Sequence, residues 1–321
     1  MSASPLALLG APNADLRLSP GLRAGVRVPA SSANLGPGFD CLGLALGVYD
    51  DIVVTVTDGG VAVEVTGEAA GDVPRDGRHL VARAVIRGLE FAGIAAPGLH
   101  LKCTNVIPHS RGLGSSAAAV VGGLAAASAL IAADGRRPAL TDDELVQLSG
   151  EFEGHPDNAA ASVLGGAVVT WMTDESGHTG YFARRLHLHP AIVVTAFVPQ
   201  IESSTAVTRG LLPDAVPRGD AIFNLSRAAL AVVALTSDPG CLMEATRDRL
   251  HQDYRSTALP ETTALVAELR RRGHAATVSG AGPSVLVLGE AELSDDARAL
   301  GAEHGFAMLS LPIGEGVKPH N

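Results

Sequence analysis

Pro108 to Ala133 reads PHSRGLGSSAAAVVGGLAAASALIAA. A proline opens the stretch, and Gly112 and Gly114 allow a backbone turn that a side chain would block. Ser115 and Ser116 are of the residue types that cap helices. After them runs a helix of little but Ala, Val, Leu, Gly and Ser. A glycine-rich loop feeding a helix N-terminus is an anion site, because unpaired N–H groups point outward and the dipole favours negative charge. Triphosphate is the natural guest. It is not the common P-loop, since no Gly-Lys-Ser/Thr follows. The bland alternative is a tight turn capping a buried helix. Residues 117–133 carry no charge over 17 positions, the short edge of membrane-spanning length. Their Ala and Gly content and mid-chain place predict a helix buried on every side of a protein core.

A chain of 321 residues predicts two domains. With 46% hydrophobic and 18% charged residues the composition is that of a globular protein with a large core. Aromatics are only 3%, so Ala, Val and Leu must fill that core. A net charge of −10 argues against nucleic acid and anionic membranes as partners. Such a chain needs local basic groups or Mg²⁺ to hold a phosphate. Cys41, Cys103 and Cys241 show no C-x-x-C pairing and read as thiols in a reducing cytoplasm. No signal peptide is read at the N-terminus. Residues 1–22 read as a loose extension.

A strand is expected near 25–28. Residues 29–40, PASSANLGPGFD, then hold two glycines, two prolines, two serines and an asparagine, and read as a binding loop presenting Asn34 and Asp40. The alternative is a structural turn in which both bond their own backbone. Strands at 52–57 and 61–66, joined by Asp58-Gly59-Gly60, read as a hairpin. A helix over 79–91 and a strand over 99–105 lead into the phosphate-type loop. Thr141 and Glu144 form a capping box for a helix to about Gly154 that carries Glu144, Glu151 and Glu153. The polar turn Gly154-His155-Pro156-Asp157-Asn158 and a strand over 167–172 follow. A histidine alone in a loop is more often structural, but Glu151, Asp157 and Asn158 stand beside this one.

A domain boundary is expected in the polar region 173–189. Beyond it come a strand over 192–198, a polar turn over 202–205, a short helix with Arg209, helices over 222–235 and 242–250, and an exposed polar patch over 251–255. A helix over 261–272, strands at 277–279 and 284–288, a helix over 295–303 and a strand over 306–311 complete a split βαβ pattern. No apolar stripe announces an interface, so a homodimer is only the default expectation.

These motifs resemble the GHMP small-molecule kinases, and among their branches the homoserine kinases. The resemblance runs from about Arg23 to Leu311. It rests on 29–40, on 108–118, on the glycine-rich turn 279–284, and on the segments 151–158, 204–209 and 253–255. It implies an α+β, two-domain fold: an N-terminal ATP-binding domain over 23–180, like domain 2 of ribosomal protein S5, and a ferredoxin-like C-terminal domain over 181–321. It also implies ATP-dependent phosphorylation of the side-chain hydroxyl of L-homoserine, for threonine synthesis.

By the same resemblance Pro108, His109, Ser110, Arg111, Gly112, Leu113, Gly114, Ser115, Ser116, Ala117 and Ala118 cradle the nucleotide. Ser116 and Glu151 supply hard oxygen ligands to Mg²⁺. Arg209 and Arg255 clamp the acceptor carboxylate, Asp40 pairs its ammonium, Asn34 and His155 orient it, and Gly280 lets backbone approach. Asn158, Asp157 and Arg209 are the candidate catalytic residues. The position where several relatives carry a basic aspartate is Asn158, which cannot accept a proton at neutral pH. Positioning, Mg²⁺ and the phosphate itself are therefore expected to carry the reaction. A kinase for a sugar or an isoprenoid alcohol is the nearest rival, but such acceptors lack the carboxylate that two arginines would hold. A non-catalytic binding protein of the same fold is the rival outside the class, and the intact loop argues against it.

Overall fold

The structure, a computed structural model, describes residues 16–175, 177–203 and 205–320. In its first part the elements are β1 (Arg23–Asn34), β2 (Gly38–Thr57), β3 (Gly60–Gly67), α1 (Leu80–Phe91), β4 (Gly98–Asn105), α2 (Ser115–Asp134), α3 (Asp142–Glu153), α4 (Asp157–Leu164), β5 (Ala167–Glu175) and β6 (His178–Leu186). Then follow β7 (Val193–Pro199), α5 (Thr205–Arg209), α6 (Arg218–Thr236), α7 (Leu242–Ala245), α8 (Gln252–Arg255), α9 (Pro260–Arg271), β8 (Ala275–Val278), β9 (Val285–Gly289), α10 (Asp295–Glu303), β10 (Phe306–Leu311) and β11 (Lys318–Pro319).

The first sheet runs β11-β1-β2-β4-β3, with β5 on β2 and β6 on β5. The second runs β10-β7-β9-β8, each pair antiparallel. That is the strand order of a split βαβ, or ferredoxin-like, sheet. Helix α2 packs against α1, α3, α4 and β1. Ala118, Val120, Val121, Leu124, Leu130 and Ile131 on it are wholly buried, as the absence of charge predicts. A second core joins Phe197, Leu265, Leu269, Val285 and Phe306.

Several expectations change. Residues 29–40 are not one loop: β1 continues to Asn34, a tight turn follows, and β2 starts at Gly38. The ladder absorbs the proline because its register shifts between Pro29 and Ala30. Positive φ at Asn34 (72°), Leu35 (47°) and Gly36 (90°) closes the turn. β2 and β3 are consecutive but do not pair. β4 lies between them, antiparallel to β2 and parallel to β3.

Residues 157–164 form a helix that the polar turn concealed. The helix expected over 242–250 stops at Ala245. There Asp248 takes over, its carboxylate accepting from the N–H groups of Leu250, His251 and Gln252.

The boundary expected over 173–189 is occupied by the β5–β6 hairpin, which keeps the chain in the first sheet to Leu186. The first 15 residues lie outside the described ones. From Leu16 the chain is held: Leu18 N–H donates to the Ala95 carbonyl, Val56 N–H to that of Leu22, and Leu18 is 2% exposed. Residues after β10 return to the first sheet, where β11 pairs with β1. Helix α6 exposes Ile222, Leu225 and Val233, an apolar stripe that the sequence reading missed.

Candidate active site

The loop before α2 depends on glycine at two points. Gly112 (φ 76°) and Gly114 (φ 68°) both have left-handed backbone. A Cβ on Gly112 would stand 2.6 Å from the Ser279 carbonyl oxygen, and one on Gly114 2.1 Å from Ser31 Oγ. Gly114 is itself the N-cap, so Ser115 and Ser116 begin the helix rather than cap it. No side chain caps α2, and its first N–H groups remain for a guest.

Ser279 Oγ hydrogen-bonds the Gly112 carbonyl at 2.6 Å and Ser32 Oγ at 2.8 Å. Ser284 Oγ donates to the Arg111 carbonyl at 2.5 Å. The glycine-rich turn between β8 and β9 thus locks the loop from the second sheet's side.

Below the loop lies a cavity of about 370 Å³. His109, Ser110, Gly112, Gly114, Ser115, Ser116 and Ala117 form its loop wall, and Asn34, Asp40, Glu153, His155, Asp157, Asn158, Arg209, Arg255 and Gly280 are among the residues that line the rest. Pro108, Arg111, Leu113 and Ala118 are not in that wall. Leu113 and Ala118 point into the core. Arg111 turns to Glu68 Oε2 (3.1 Å) and the Gln200 carbonyl (3.3 Å).

Glu151 is not brought to Ser116. Its Oε2 accepts from Arg87 Nη2 at 2.9 Å on the outer side of α3. Glu153 takes the place instead: Ser116 Oγ donates to its Oε1 at 2.7 Å. Residues two apart on a helix lie about 200° apart, so only one of the two can face α2. A hydroxyl and a carboxylate side by side at the end of the glycine loop suit a hard cation such as Mg²⁺.

Also lining the cavity, Asp40 and Arg209 meet in a two-pronged pair, at 2.6 and 3.1 Å. Burial opposes the Arg209 charge, but Asp40 outweighs it and the pKa of the guanidinium rises. Arg255, expected in an exposed patch, is only 2% exposed. Its pKa is lowered to about 10, first by burial and then by Arg209. It remains charged at neutral pH.

Phe39 went unnoticed in the sequence, where a lone aromatic carries no signal. Its ring lies 5.4 Å from the Arg209 guanidinium and 5.6 Å from that of Arg255, a shared cation–π support.

Asn34 is buried, at 4% exposure. Its Nδ2 donates to the Gly280 carbonyl at 2.8 Å, and its Oδ1 accepts from Asp40 N–H at 3.1 Å. It holds the turn and the glycine-rich segment together. His155 Nδ1 and Asp157 Oδ1 are 3.2 Å apart, and this carboxylate raises the histidine pKa. One ligand-type atom from each of Asp40, His155 and Asp157 falls within 4.8 Å of the others. Asp157 Oδ1 also accepts from Asn158 N–H at 2.7 Å, and Asn158 Oδ1 accepts from Ser31 Oγ at 3.0 Å. Ser204, part of the resembling segment 204–209, lies outside the described residues.

The family described as GHMP kinases N terminal domain matches residues 79–166, and GHMP kinases C terminal matches 228–305. The chain belongs to the GHMP kinases, and is an enzyme of the kinase class. Among its relatives, homoserine kinase of Mycolicibacterium vanbaalenii is 58% identical over 301 residues, covering 94% of this chain and 96% of that one. Homoserine kinase of Rhodococcus erythropolis is 59% identical over 305 residues, covering 93% and 96%. A crystal structure of homoserine kinase from Cytophaga hutchinsonii shares the two-domain fold, with a TM-score of 0.81 at 23% identity, covering 94% and 98%.

Proposed function

We propose that this kinase transfers the terminal phosphoryl group of ATP to the side-chain hydroxyl of L-homoserine, giving O-phospho-L-homoserine for threonine synthesis. The observation that carries the reading is the charge arrangement of one cavity. The glycine loop with Ser116 and Glu153 lines the same cavity as Arg209, Arg255 and Asp40. The first set suits a polyphosphate. The second suits a zwitterion: a carboxylate for the arginines, an ammonium for Asp40. The relatives named as homoserine kinases point the same way.

Ser116 and Glu153 would hold Mg²⁺, which neutralises charge on the phosphates when bound. The homoserine oxygen forms the new P–O bond while the bond from that phosphorus to ADP breaks. Asn158 is taken up by Ser31, and Asp157 Oδ1 is shared between Asn158 N–H and His155. These residues position; the leaving proton passes to phosphate or solvent rather than to a strong side-chain base. We place the protein in the cytoplasm as a homodimer, with the two sheets as the two domains that flank the cleft.

The test is an ADP-release assay with ATP and Mg²⁺ on L-homoserine, L-serine, L-threonine, galactose and mevalonate. Turnover on homoserine well above all others is the expected result. Turnover on a sugar or on mevalonate in preference would end this reading.

A further inference from the structure

We propose that His251 is a positioning residue for the acceptor carboxylate: as a neutral imidazole it fixes which nitrogen of Arg255 faces the cavity. The inference deepens the preceding reading and rests on it.

His251 is fully buried, and its hydrogen-bond partners leave it one protonation state. Nε2 lies 2.7 Å from the Gly36 carbonyl oxygen, which can only accept, so Nε2 carries a proton. Nδ1 lies 2.9 Å from Arg255 Nη1, which can only donate, so Nδ1 carries a lone pair. A second proton on the ring would set N–H against N–H. Burial opposes that second proton most; Asp248, 3.7 Å from Nε2, favours it, the Arg255 charge opposes it, and the net effect lowers the imidazole pKa. Phe39 stacks on the imidazole with ring centroids 5.3 Å apart.

The consequence falls on Arg255. Its Nη1 also donates to the Gly280 carbonyl at 3.2 Å, and its Nε to the Thr208 carbonyl at 3.4 Å. Nη2 makes no hydrogen bond among the described residues, and Arg255 lines the cavity. The guanidinium is therefore held by Nε and Nη1 and presents Nη2 to a guest. Without the acceptor at Nδ1, Nη1 loses its shortest bond and the guanidinium is held only by the two longer ones, to Gly280 and Thr208. An acceptor with a carboxylate suffers from the looser hold; a guest of the glycine loop does not.

Two substitutions separate the ring's two bonds. In His251→Asn the amide oxygen can replace Nδ1 as acceptor for Arg255. In His251→Gln the amide nitrogen can replace Nε2 as donor to Gly36, and the acceptor is lost. Steady-state kinetics should show the homoserine KM raised roughly tenfold or more in His251→Gln. The ATP KM and kcat should stay within about threefold, and His251→Asn should recover most of the loss. Equal damage in both variants, tracking an equal fall in melting temperature, would make His251 a fold-holding residue and overturn the proposal. So would a change confined to kcat or to the ATP KM. The tautomer is read on the wild-type enzyme by ¹⁵N NMR of the histidine rings at neutral pH; a proton found on His251 Nδ1 also overturns it. Wild-type enzyme that binds ATP but does not turn over homoserine defeats the parent reading instead, and is seen before any variant is made.

Discussion

Glu151 and Glu153 show how much a single side chain decides. Both sit in the last turn of α3, yet one pairs with Arg87 on the outside and the other meets Ser116 in the cleft. Glu153→Gln should lower kcat/KM roughly a hundredfold or more and raise the Mg²⁺ requirement, since even residues that merely support a metal ligand matter about 10–100-fold. Glu151→Gln removes an ion pair at the surface, of the kind worth about 0–1 kcal/mol, and should leave turnover within about twofold. A Mg²⁺ titration of both variants decides it, and the reverse order would make Glu151 the metal ligand instead. The residue types of this site were legible in the sequence: Asn34, Asp40, His155, Arg209 and Arg255 all reach one cavity. Their partners were not, because a helix face is known only once its neighbours are. The burial of His251 and Arg255 was hidden for the same reason: nothing in His251-Gln252-Asp253-Tyr254-Arg255 reveals that Gly36 and Gly280, far away in sequence, close over it.

At the scale of elements, local signals were read well and pairings poorly. The capping box at Thr141 forms as its spacing predicts, and α10 and β10 keep their expected bounds. The turn over 58–60 reads as a hairpin because strand periodicity says nothing about a third strand. Inserting β4 between β2 and β3 is a non-local event. Helix α6 is the reverse case, local in origin but masked by composition. Arg218, Ile222, Leu225, Ala229 and Val233 recur every three or four residues and share one face, with Ile222 58%, Leu225 71% and Val233 45% exposed. If two copies of α6 packed antiparallel about Ala229, Leu225 of one would face Val233 of the other, and the small Ala229 at the axis would allow close approach. This is the contact on which the proposed homodimer rests. Leu225→Glu should halve the mass found by light scattering at tens of micromolar without altering the fold. A wild-type protein already monomeric under those conditions rules the interface out.

The whole molecule is tied together by segments with no periodicity to announce them. After β10 the chain runs back over the first domain: Gly47 N–H donates to the Pro312 carbonyl, Gly166 N–H to that of Gly314, and Val317 N–H to that of Ser162. Together with the Ser279–Gly112 and Asn34–Gly280 bonds, these contacts join both sheets around the cleft. Asp50 is part of the same frame. Its Oδ1 accepts from Val106 and Ile107 N–H, at 2.6 and 2.9 Å, just before the glycine loop. Burial lifts its pKa from 3.8 to about 6 against the pull of those two bonds. The folded chain thus holds this proton more tightly than the unfolded chain does. The resulting stabilisation is complete below about pH 4 and disappears as pH rises through about 6. Carboxylates held by arginines, such as Asp51 by Arg27, act in the opposite direction, so the total pH profile cannot isolate Asp50. A difference can. Asp50→Asn keeps an oxygen for both N–H groups and removes the titration. Relative to wild type, its unfolding free energy should rise between pH 4 and pH 7, by up to roughly 3 kcal/mol for a shift of this size. Urea unfolding of both proteins across that range measures it. A flat difference would mean that Asp50 titrates normally, and a falling one would mean that the loop needs its charge.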